Sequence, residues 1–210
     1  SVQGQVTSFE IDSSKFIKPL TKTLDSLFHE DQDSRLNLGR AIGQKESTVI
    51  IDSLRKIMVQ KDKQNLVLVK RILDQYGWLG PQKVGLQASQ ALFLVLQHAE
   101  LSVQKFYLPL ILKAEKQGEI LSSNLAIMED RINVREGKKQ LYGSQGFQDS
   151  ETGQLLFYPI EDPDHIDERR KMMGLGTMQE YASLLKTEWN IQKYKEMLPI
   201  IIQKVAKHKQ

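Results

Sequence analysis

The 210-residue chain lacks cysteine and lacks any long apolar run. The first absence excludes disulfides, thiolate nucleophiles and cysteine-based zinc sites. The longest apolar run, residues 91–96, is far shorter than the roughly 20 residues that a membrane-spanning helix requires. We therefore predict that the chain contains no transmembrane segment.

A strong charge imbalance is also missing. The chain has 29 basic and 26 acidic residues, which give a net charge of +3. Nucleic-acid binding usually requires clustered lysine and arginine, so we predict no nucleic-acid partner. The basic stretch at residues 204–209 is interpreted as a solvated chain end. Because 40% of the residues are hydrophobic, the chain has enough apolar side chains to form a core.

The beginning of the chain is polar and has no initiating methionine. Residues 1–14 are rich in serine, glutamine and glycine, and we interpret them as an extended lead-in to one helical domain at 15–210. The start at Ser1 is compatible with a removed signal peptide or with the way the chain was cloned. The expectation favours an exported protein, periplasmic or at the cell surface, slightly over a cytoplasmic one.

From Phe16 onward the apolar residues recur at helical spacing. We predict a mainly α domain of about six to eight helices. The predicted helices cover about 16–35, 47–76 (one kinked helix or two), 83–100, 102–117, 123–135, 162–173 and 178–197. Thr177 and Glu180 form a capping-box pattern at the start of the last helix, and Pro199 is expected to end it.

The exception to the helical pattern is the segment at 138–161. It contains three glycines and a turn-rich stretch at 148–153 between two β-prone arms. We predict a β-hairpin near 140–158, in which about 140–148 pairs with 154–158. A long non-helical insertion in a helical domain is often functional.

The predicted third helix carries a polar stripe on a mostly apolar surface. Its polar residues fall within about 120° of one another, and they are Lys83, Gln87, Gln90, Gln97 and His98. Buried polar groups need hydrogen-bond partners, because each unpaired group costs about 1–3 kcal/mol. His98 can be a structural histidine near a helix end, a general acid or base, or a metal ligand.

Three further observations limit the possible chemistry. Glu100 lies about 200° around the helix from His98, and no second histidine follows at helical spacing, so no metal ion or cofactor is predicted. The charged group at 30–35 is interpreted as a solvated helix end. Arg131, next to Asp130, can clamp an anion or brace a neighbouring loop, and we favour bracing.

Seven short motifs occur in order along the chain. They are Tyr76-Gly77-Trp78-Leu79-Gly80, Val84-Gly85, Gln97-His98-Ala99-Glu100, Asp130-Arg131, Tyr142-Gly143-Ser144-Gln145, Pro159-Ile160-Glu161-Asp162 and Asp167-Glu168-Arg169-Arg170. Over about residues 24–181 the chain resembles a bacterial family catalogued only as a domain of unknown function. That family carries GWPG, QHAD, DR, YGTQ and PI-D…VD-RR signatures. The chain departs from them at Leu79, Glu100 and Ser144. The last two departures keep the chemistry, and the first only loosens a turn.

The resemblance implies no reaction, but it implies which residues act together. They are Gln97, His98, Asp130, Arg131, Tyr142, Gln145 and Asp162. Many members of the family resemble exported or lipid-anchored proteins. Our hypothesis is that the hairpin folds back over the end of the third helix and forms a cleft, with Tyr142 and Gln145 facing His98 and Arg131.

Three functions remain open at this stage. The first is a non-catalytic binding domain for a small polar or anionic ligand or a peptide. The second is an enzyme in which His98 acts as a general base oriented by Asp130 or Asp162. The third is an interaction scaffold, in which the cluster is sealed and both nitrogens of His98 are satisfied within the protein.

Overall fold

A computed structural model describes residues 4–208, with the side chain of His208 left aside. Residues 1–3 of the predicted lead-in and Lys209 of the basic stretch lie outside this range. Contacts between Cα atoms divide the chain into an N-terminal unit, Ser8–Ile120, and a C-terminal unit, Leu121–Gln210 together with Ser1–Thr7. The predicted mainly α fold with one β-hairpin is confirmed. No helix among the described residues is long and apolar enough to cross a membrane.

The N-terminal unit is built from helices. They are α1 (Lys18–Gly43), α2 (Thr48–Tyr76), α3 (Pro81–Val84), α4 (Leu86–His98) and α5 (Leu101–Lys116). Helix α1 packs against both α2 and α4. The apolar residues of α4 are buried on most of its faces, including Leu92, Phe93 and Leu96, so α4 has the central position predicted for it.

Helix α1 extends eight residues beyond its predicted end at Arg35. The charged residues at 30–35 continue the helix, and Asp31 lies on its buried face with Leu24 and Leu27. The prediction of a solvated end was wrong for Asp31, which is only 1% exposed. Because Asp31 places a carboxylate at a core position, it interrupts the apolar stripe. The helical periodicity therefore predicted an end of the helix that is too early.

The predicted third helix is divided in two at Gly85. This residue has a φ of +89°, which side-chain-bearing residues rarely adopt, and it separates α3 from α4. A Cβ atom at Gly85 would lie 2.9 Å from Cε2 of Phe16. The break therefore provides room for the Phe16 ring.

The C-terminal unit contains four helices and the hairpin within its described residues. The elements are α6 (Ser122–Arg135), β1 (Gly146–Gln148), β2 (Leu155–Phe157), α7 (Ile166–Met172), α8 (Met178–Leu184) and α9 (Ile191–His208). Strands β1 and β2 are antiparallel, with Phe147 opposite Leu156. The hairpin arms are shorter than predicted, and Gln140 instead forms an isolated parallel bridge with Ile160. At the other end of the unit, Val6 exchanges hydrogen bonds with Ser122.

The predicted last helix is two helices in the structure. The Thr177–Glu180 capping box is present and begins α8, but α8 ends at Leu184. Lys186 follows with a φ of +55°, which ends the helical path. Helix α9 then continues through Pro199. A proline inside a helix costs about 3 kcal/mol, and burial of Tyr194 and Ile201 on α9 offsets this cost.

An apolar core holds the elements of the C-terminal unit together. Its buried members are Phe157, Ile160, Ile166, Met178, Ala182, Tyr194 and Ile201. They come from the hairpin and from the three helices that follow it. The core therefore fixes the hairpin against α7, α8 and α9.

Candidate functional site

The predicted site residues occur in both units. Gln97 and His98 end α4 in the N-terminal unit. The remaining five belong to the C-terminal unit, and they are Asp130, Arg131, Tyr142, Gln145 and Asp162. His98 and Asp130 each belong to a polar cluster within their own unit, whereas the backbone carbonyl of Gln97 accepts a hydrogen bond from the Gln104 amide at 2.7 Å. The predicted closure of the hairpin over the end of α4 stays a prediction.

In the N-terminal unit, His98 belongs to an ion-pair network that joins three helices. Its Nδ1 lies 3.0 Å from Oδ1 of Asp31 on α1, and its Nε2 accepts a hydrogen bond of 3.2 Å from Nε of Arg35. The two terminal nitrogens of Arg35 donate to the two carboxylate oxygens of Asp62 on α2, both at 3.0 Å. Because arginine only donates, Nε2 of His98 is the acceptor and Nδ1 carries the proton toward Asp31.

The network is buried at one end and partly open at the other. The side chain of Asp31 is 1% exposed, whereas His98, Arg35 and Asp62 are 18%, 23% and 24% exposed. Burial raises the pKa of Asp31, but the hydrogen bond from His98 and the positive charge of Arg35 outweigh it, so the pKa is lowered overall. Asp31 is therefore a stable carboxylate at neutral pH.

The carboxylate that orients His98 differs from the one expected. The hypothesis named Asp130 or Asp162, whereas the partner in the structure is Asp31. Sequence reasoning also missed Arg35 and Asp62. A usable signal existed in the spacing of Asp31 and Arg35, which are four residues apart and therefore share one helix face.

The same residues raise the question of a metal site. One ligand atom each from Asp31, Asp62 and His98 lies within 4.8 Å of the others. Arg35, however, lies at 3.0–3.3 Å from atoms of all three, so its positive charge already offsets one of the two carboxylate charges. A metal ion would have to displace this guanidinium. The residues therefore fit an arginine-centred network better than a cation site, and the absence of a metal stays a prediction.

In the C-terminal unit, a buried aspartate organises the loop at residues 140–145. Both oxygens of Asp130 accept backbone N–H groups, at 2.7 Å from Leu141, 3.0 Å from Tyr142 and 2.9 Å from Ser144. Asp130 is fully buried. Its burial raises its pKa, and the three backbone donors only partly counteract that effect. Asp130 thus has a structural role beneath the loop.

Side chains that sequence reasoning did not place in the site hold the other groups of the loop. Nε of Arg169 donates to the carbonyl of Leu141 at 2.9 Å, and Nη1 of Arg170 donates to that of Tyr142 at 2.6 Å. The Gln140 amide donates to the carbonyl of Gln145 at 2.9 Å and accepts its N–H at 2.8 Å. The paired arginines in the last sequence motif could have indicated this bracing role.

The side chains of Tyr142 and Gln145 are half-buried on this fixed loop. The Tyr142 hydroxyl donates to Glu129 at 3.4 Å, and the Gln145 amide donates to the Ser144 hydroxyl at 3.0 Å. Burial, followed by the negative charge of Glu129, raises the pKa of Tyr142 to about 12. Tyr142 is therefore a neutral hydrogen-bonding group across the physiological pH range.

The two remaining predicted site residues, Asp162 and Arg131, belong to the same unit as this loop. Asp162 is exposed, and its carboxylate pairs with Nδ1 of His165 at 2.9 Å. Burial raises the pKa of Tyr181, while the positive charges of Arg170 and Arg131 lower it. The Tyr181 hydroxyl donates to the carbonyl of Ser144 at 2.9 Å. Arg131 thus adds positive charge near the loop.

A family model described as a family of unknown function matches residues 21–194. The chain belongs to family DUF6624. Membership of a family of unknown function was predicted from the motifs, and it is confirmed. No curated protein and no solved structure matches the chain.

The DUF6624 match includes both polar clusters. It begins within α1, ahead of Asp31, and ends at Tyr194 near the start of α9. The greater part of α9 therefore lies beyond the matched residues. Because DUF6624 has no described function, the chemistry of this chain has to be inferred from its own side chains.

Proposed function

We propose that this member of DUF6624 is a binding domain for a small polar or anionic ligand, and that the loop at 140–145 contacts that ligand. The observation that carries the proposal is the support of the loop by Asp130. Three charge-assisted hydrogen bonds, donated by backbone N–H groups of the loop to one buried carboxylate, fix the backbone in place. A loop that is already ordered loses little conformational entropy on binding.

The groups available to a ligand support binding rather than catalysis. Tyr142 and Gln145 supply a phenol and an amide, which hydrogen-bond well but do little acid–base chemistry near pH 7. The positive charges of Arg170 and Arg131, which act on Tyr181, favour an anionic group on that side of the loop, whereas the negative charge of Glu129 favours a neutral polar group beside Tyr142. The finer expectations of a bacterial source and of export belong to this proposal and rest on the family resemblance alone.

The test uses NMR with a small set of probe compounds. Glycylglycine, inorganic phosphate and citrate are titrated into ¹⁵N-labelled protein, and backbone amides at 141–145 are followed with the Gln145 side-chain amide. We expect at least one probe to shift these signals in a saturable manner. Gln145→Ala should weaken that probe about three- to tenfold, the value of one or two hydrogen bonds.

A matched variant controls for general effects on the hairpin. Gln148, an exposed glutamine on β1, is changed to alanine and should leave the affinity unchanged. If no probe moves the loop signals, or if the two alanine variants bind the probe equally well, the loop is not the binding site.

One observation favours an enzyme as the second candidate. Asp31 is buried and lies 3.0 Å from Nδ1 of His98, which resembles the pairing of a general base with its orienting carboxylate. The hydrogen bond from Arg35 to Nε2 argues against it, because the basic lone pair is already engaged. The same hydrogen bond supports the scaffold hypothesis, in which both ring nitrogens of His98 have hydrogen-bond partners within the protein.

These alternatives separate in one experiment. Any compound that binds is incubated with the wild-type protein and with His98→Gln, and its conversion is followed by mass spectrometry. Conversion that is lost in His98→Gln while binding persists would establish the enzyme. An unchanged compound in both incubations supports a binding domain.

A further inference from the structure

A second cleft in the C-terminal unit has a volume of about 690 Å³. It lies between strand β2, the residues that join α8 to α9, and α9 itself. Leu155 and Phe157 line one side, and Trp189, Lys193 and Met197 line the other. None of its lining residues belongs to the loop at 140–145, so it is a separate site from the one proposed above.

Strand β2 presents its edge to this cleft. Leu155, Leu156 and Phe157 all line it, although successive side chains of a strand point to opposite faces. Contact with three consecutive residues therefore indicates that the cleft reaches the backbone of β2, and it also extends to Gln148 on β1, opposite Leu155.

The hydrogen-bond pattern shows which backbone groups point into the cleft. The Tyr158 N–H donates to the Gln145 carbonyl at 3.2 Å, and the Asp149 N–H donates to the Gln154 carbonyl at 2.8 Å. In an antiparallel pair the bonded positions alternate, so Leu156 bonds to β1. The N–H and C=O groups of Leu155 and Phe157 then point away from β1.

These four groups have no hydrogen-bond partner among the described residues. Leu155 is half-buried and lines the cleft, whereas Phe157 is only 4% exposed and its ring contacts that of Trp189, so a strand that pairs with Phe157 has to displace the Trp189 ring. Buried backbone groups are nearly always paired in proteins. An added strand would supply the missing donors and acceptors at the two-residue spacing that Leu155 and Phe157 present.

The other side of the cleft is aromatic and basic. The Trp189 ring packs edge-on against Phe157, with 5.8 Å between centroids. Lys186 and Lys193 stand at the rim with Glu188. Lys193 lies 4.0 Å from Glu188, and both side chains are more than two-thirds exposed, so this pair is weak. The rim therefore has a net positive charge.

We propose that this cleft binds an extended peptide of a partner protein, which adds a strand to the free edge of β2. Backbone hydrogen bonds to Leu155 and Phe157 hold the peptide. Its apolar side chains pack on Trp189 and Met197, and its acidic side chains face Lys186 and Lys193. The proposal does not depend on the ligand of the loop at 140–145.

The test uses a fluorescein-labelled peptide, acetyl-Asp-Val-Thr-Val-Asp-Val-amide, and fluorescence anisotropy with the full chain. Leu155→Pro removes one outward N–H without removing a hydrogen bond of the β1–β2 ladder. Leu155→Ala keeps that N–H and serves as the matched control. We expect Leu155→Pro to bind the peptide about tenfold more weakly than Leu155→Ala.

Two further measurements keep the proposal testable if Leu155→Pro does not fold. Methylation of one alternating set of peptide nitrogens should abolish binding to the wild-type protein, while methylation of the other set is tolerated. Lys193→Glu should weaken binding at low salt, whereas Lys207→Glu, the same charge change on α9 outside the cleft, should not.

Three results would overturn the proposal. The first is a wild-type protein that does not bind the labelled peptide. The second is equal tolerance of both methylated peptides. The third is a concentration-dependent dimer of the chain that Leu155→Pro dissociates, because the edge would then be occupied by a second copy. Sedimentation velocity measures this last outcome directly.

Discussion

Arg35 uses one guanidinium group to join α1, α2 and α4. Its Nε donates to His98, and its two terminal nitrogens form a fork on the carboxylate of Asp62. A planar fork of this kind matches a carboxylate in a way that lysine cannot reproduce. His98, the last residue of the polar stripe on α4, thus finds its partners on a neighbouring helix.

Loss of Arg35 should be costly because two carboxylates would remain without their cation. We expect Arg35→Met to lower the free energy of unfolding by about 2 kcal/mol, below the value for a fully buried pair because Arg35 is partly exposed. Arg55 forms an exposed pair with Asp52, with both side chains more than half exposed. Arg55→Met should therefore change stability by less than about 0.5 kcal/mol in the same urea titration. Equal losses in the two variants would contradict the assigned role of Arg35.

At the scale of single residues, the sequence predicted which side chain needs hydrogen-bond partners better than it predicted the partners themselves. His98 was identified as a group in need of a partner, and it has two. The partner Asp31 was missed because acidic residues on a helix usually face solvent. The distinction depends on which face of α1 packs on α4, and that is a property of the folded chain.

At the scale of elements, the loop before β1 is limited by the space at Gly143. This residue has a φ of +67°, and a Cβ atom there would lie 2.7 Å from Sδ of Met178 and 2.8 Å from Cδ1 of Ile166. Glycine is therefore required by both conformation and packing. The buried ends of α7 and α8 press directly on the loop that carries Tyr142 and Gln145.

We expect Gly143→Ala to lower the free energy of unfolding by about 2–4 kcal/mol, since strain in the left-handed region and overpacking add together. Gly153 at the hairpin tip provides the control. Its φ is +70°, but no atom lies within 4 Å of its added Cβ. Gly153→Ala should cost only about 1–2 kcal/mol. The measurement is chemical denaturation of both variants. If Gly143→Ala lost no more stability than Gly153→Ala, the packing around Gly143 would be loose.

The hairpin turn is tied to α9 by an ion pair that depends on pH. A hydrogen bond from Lys204 at 2.8 Å, followed by one from the Thr152 hydroxyl, lowers the pKa of Asp149 to about 2 from its ordinary value of 3.8. A lowered pKa means that this contribution to stability is present above about pH 4. It is lost as the pH falls toward 2.

The carboxyl carbon of Asp149 reports this titration by NMR. We expect a midpoint near pH 2 in the wild-type protein and a higher midpoint in Lys204→Met, where the Thr152 hydroxyl still keeps it below the ordinary value. Lys207→Met, which removes an exposed lysine one turn away, should leave the midpoint unchanged. A wild-type midpoint near 4 would show that the ion pair is not formed in solution.

Element types were predictable from the sequence, but several boundaries were not. The capping box and the hairpin followed from local residue preferences and are present. The end of α1 and the break between α8 and α9 depend on tertiary packing, which overrides a local pattern. Pro199 is an example, because burial of its neighbours on α9 outweighs its local preference.

At the scale of the whole molecule, each unit contains one of the two tryptophans. Trp78 is 4% exposed in the N-terminal unit, and Trp189 contacts Phe157 in the C-terminal unit. The sequence predicts a single domain at 15–210, and a single domain unfolds cooperatively. We therefore expect the single-tryptophan variants Trp78→Phe and Trp189→Phe to report loss of structure in a coincident manner.

The measurement is tryptophan fluorescence during urea unfolding, repeated in the background of Gly143→Ala. Under the single-domain prediction, this substitution lowers both midpoints even though it lies in only one unit. A shift confined to Trp189 would show that the units unfold separately. The length and composition of the chain favour a single domain, which is why the sequence could predict one. They do not determine whether the two units unfold cooperatively.

The short β2 strand also bears on the solubility of the protein. Exposed strand edges invite other chains to pair, and long apolar edges can grow into fibrils. Here the strand has only three residues, and Pro159, which has no N–H group, lies two residues beyond its end. Lysines at the rim of the cleft repel a second positively charged copy. The edge is therefore long enough to capture one short segment and too short to template continuous aggregation.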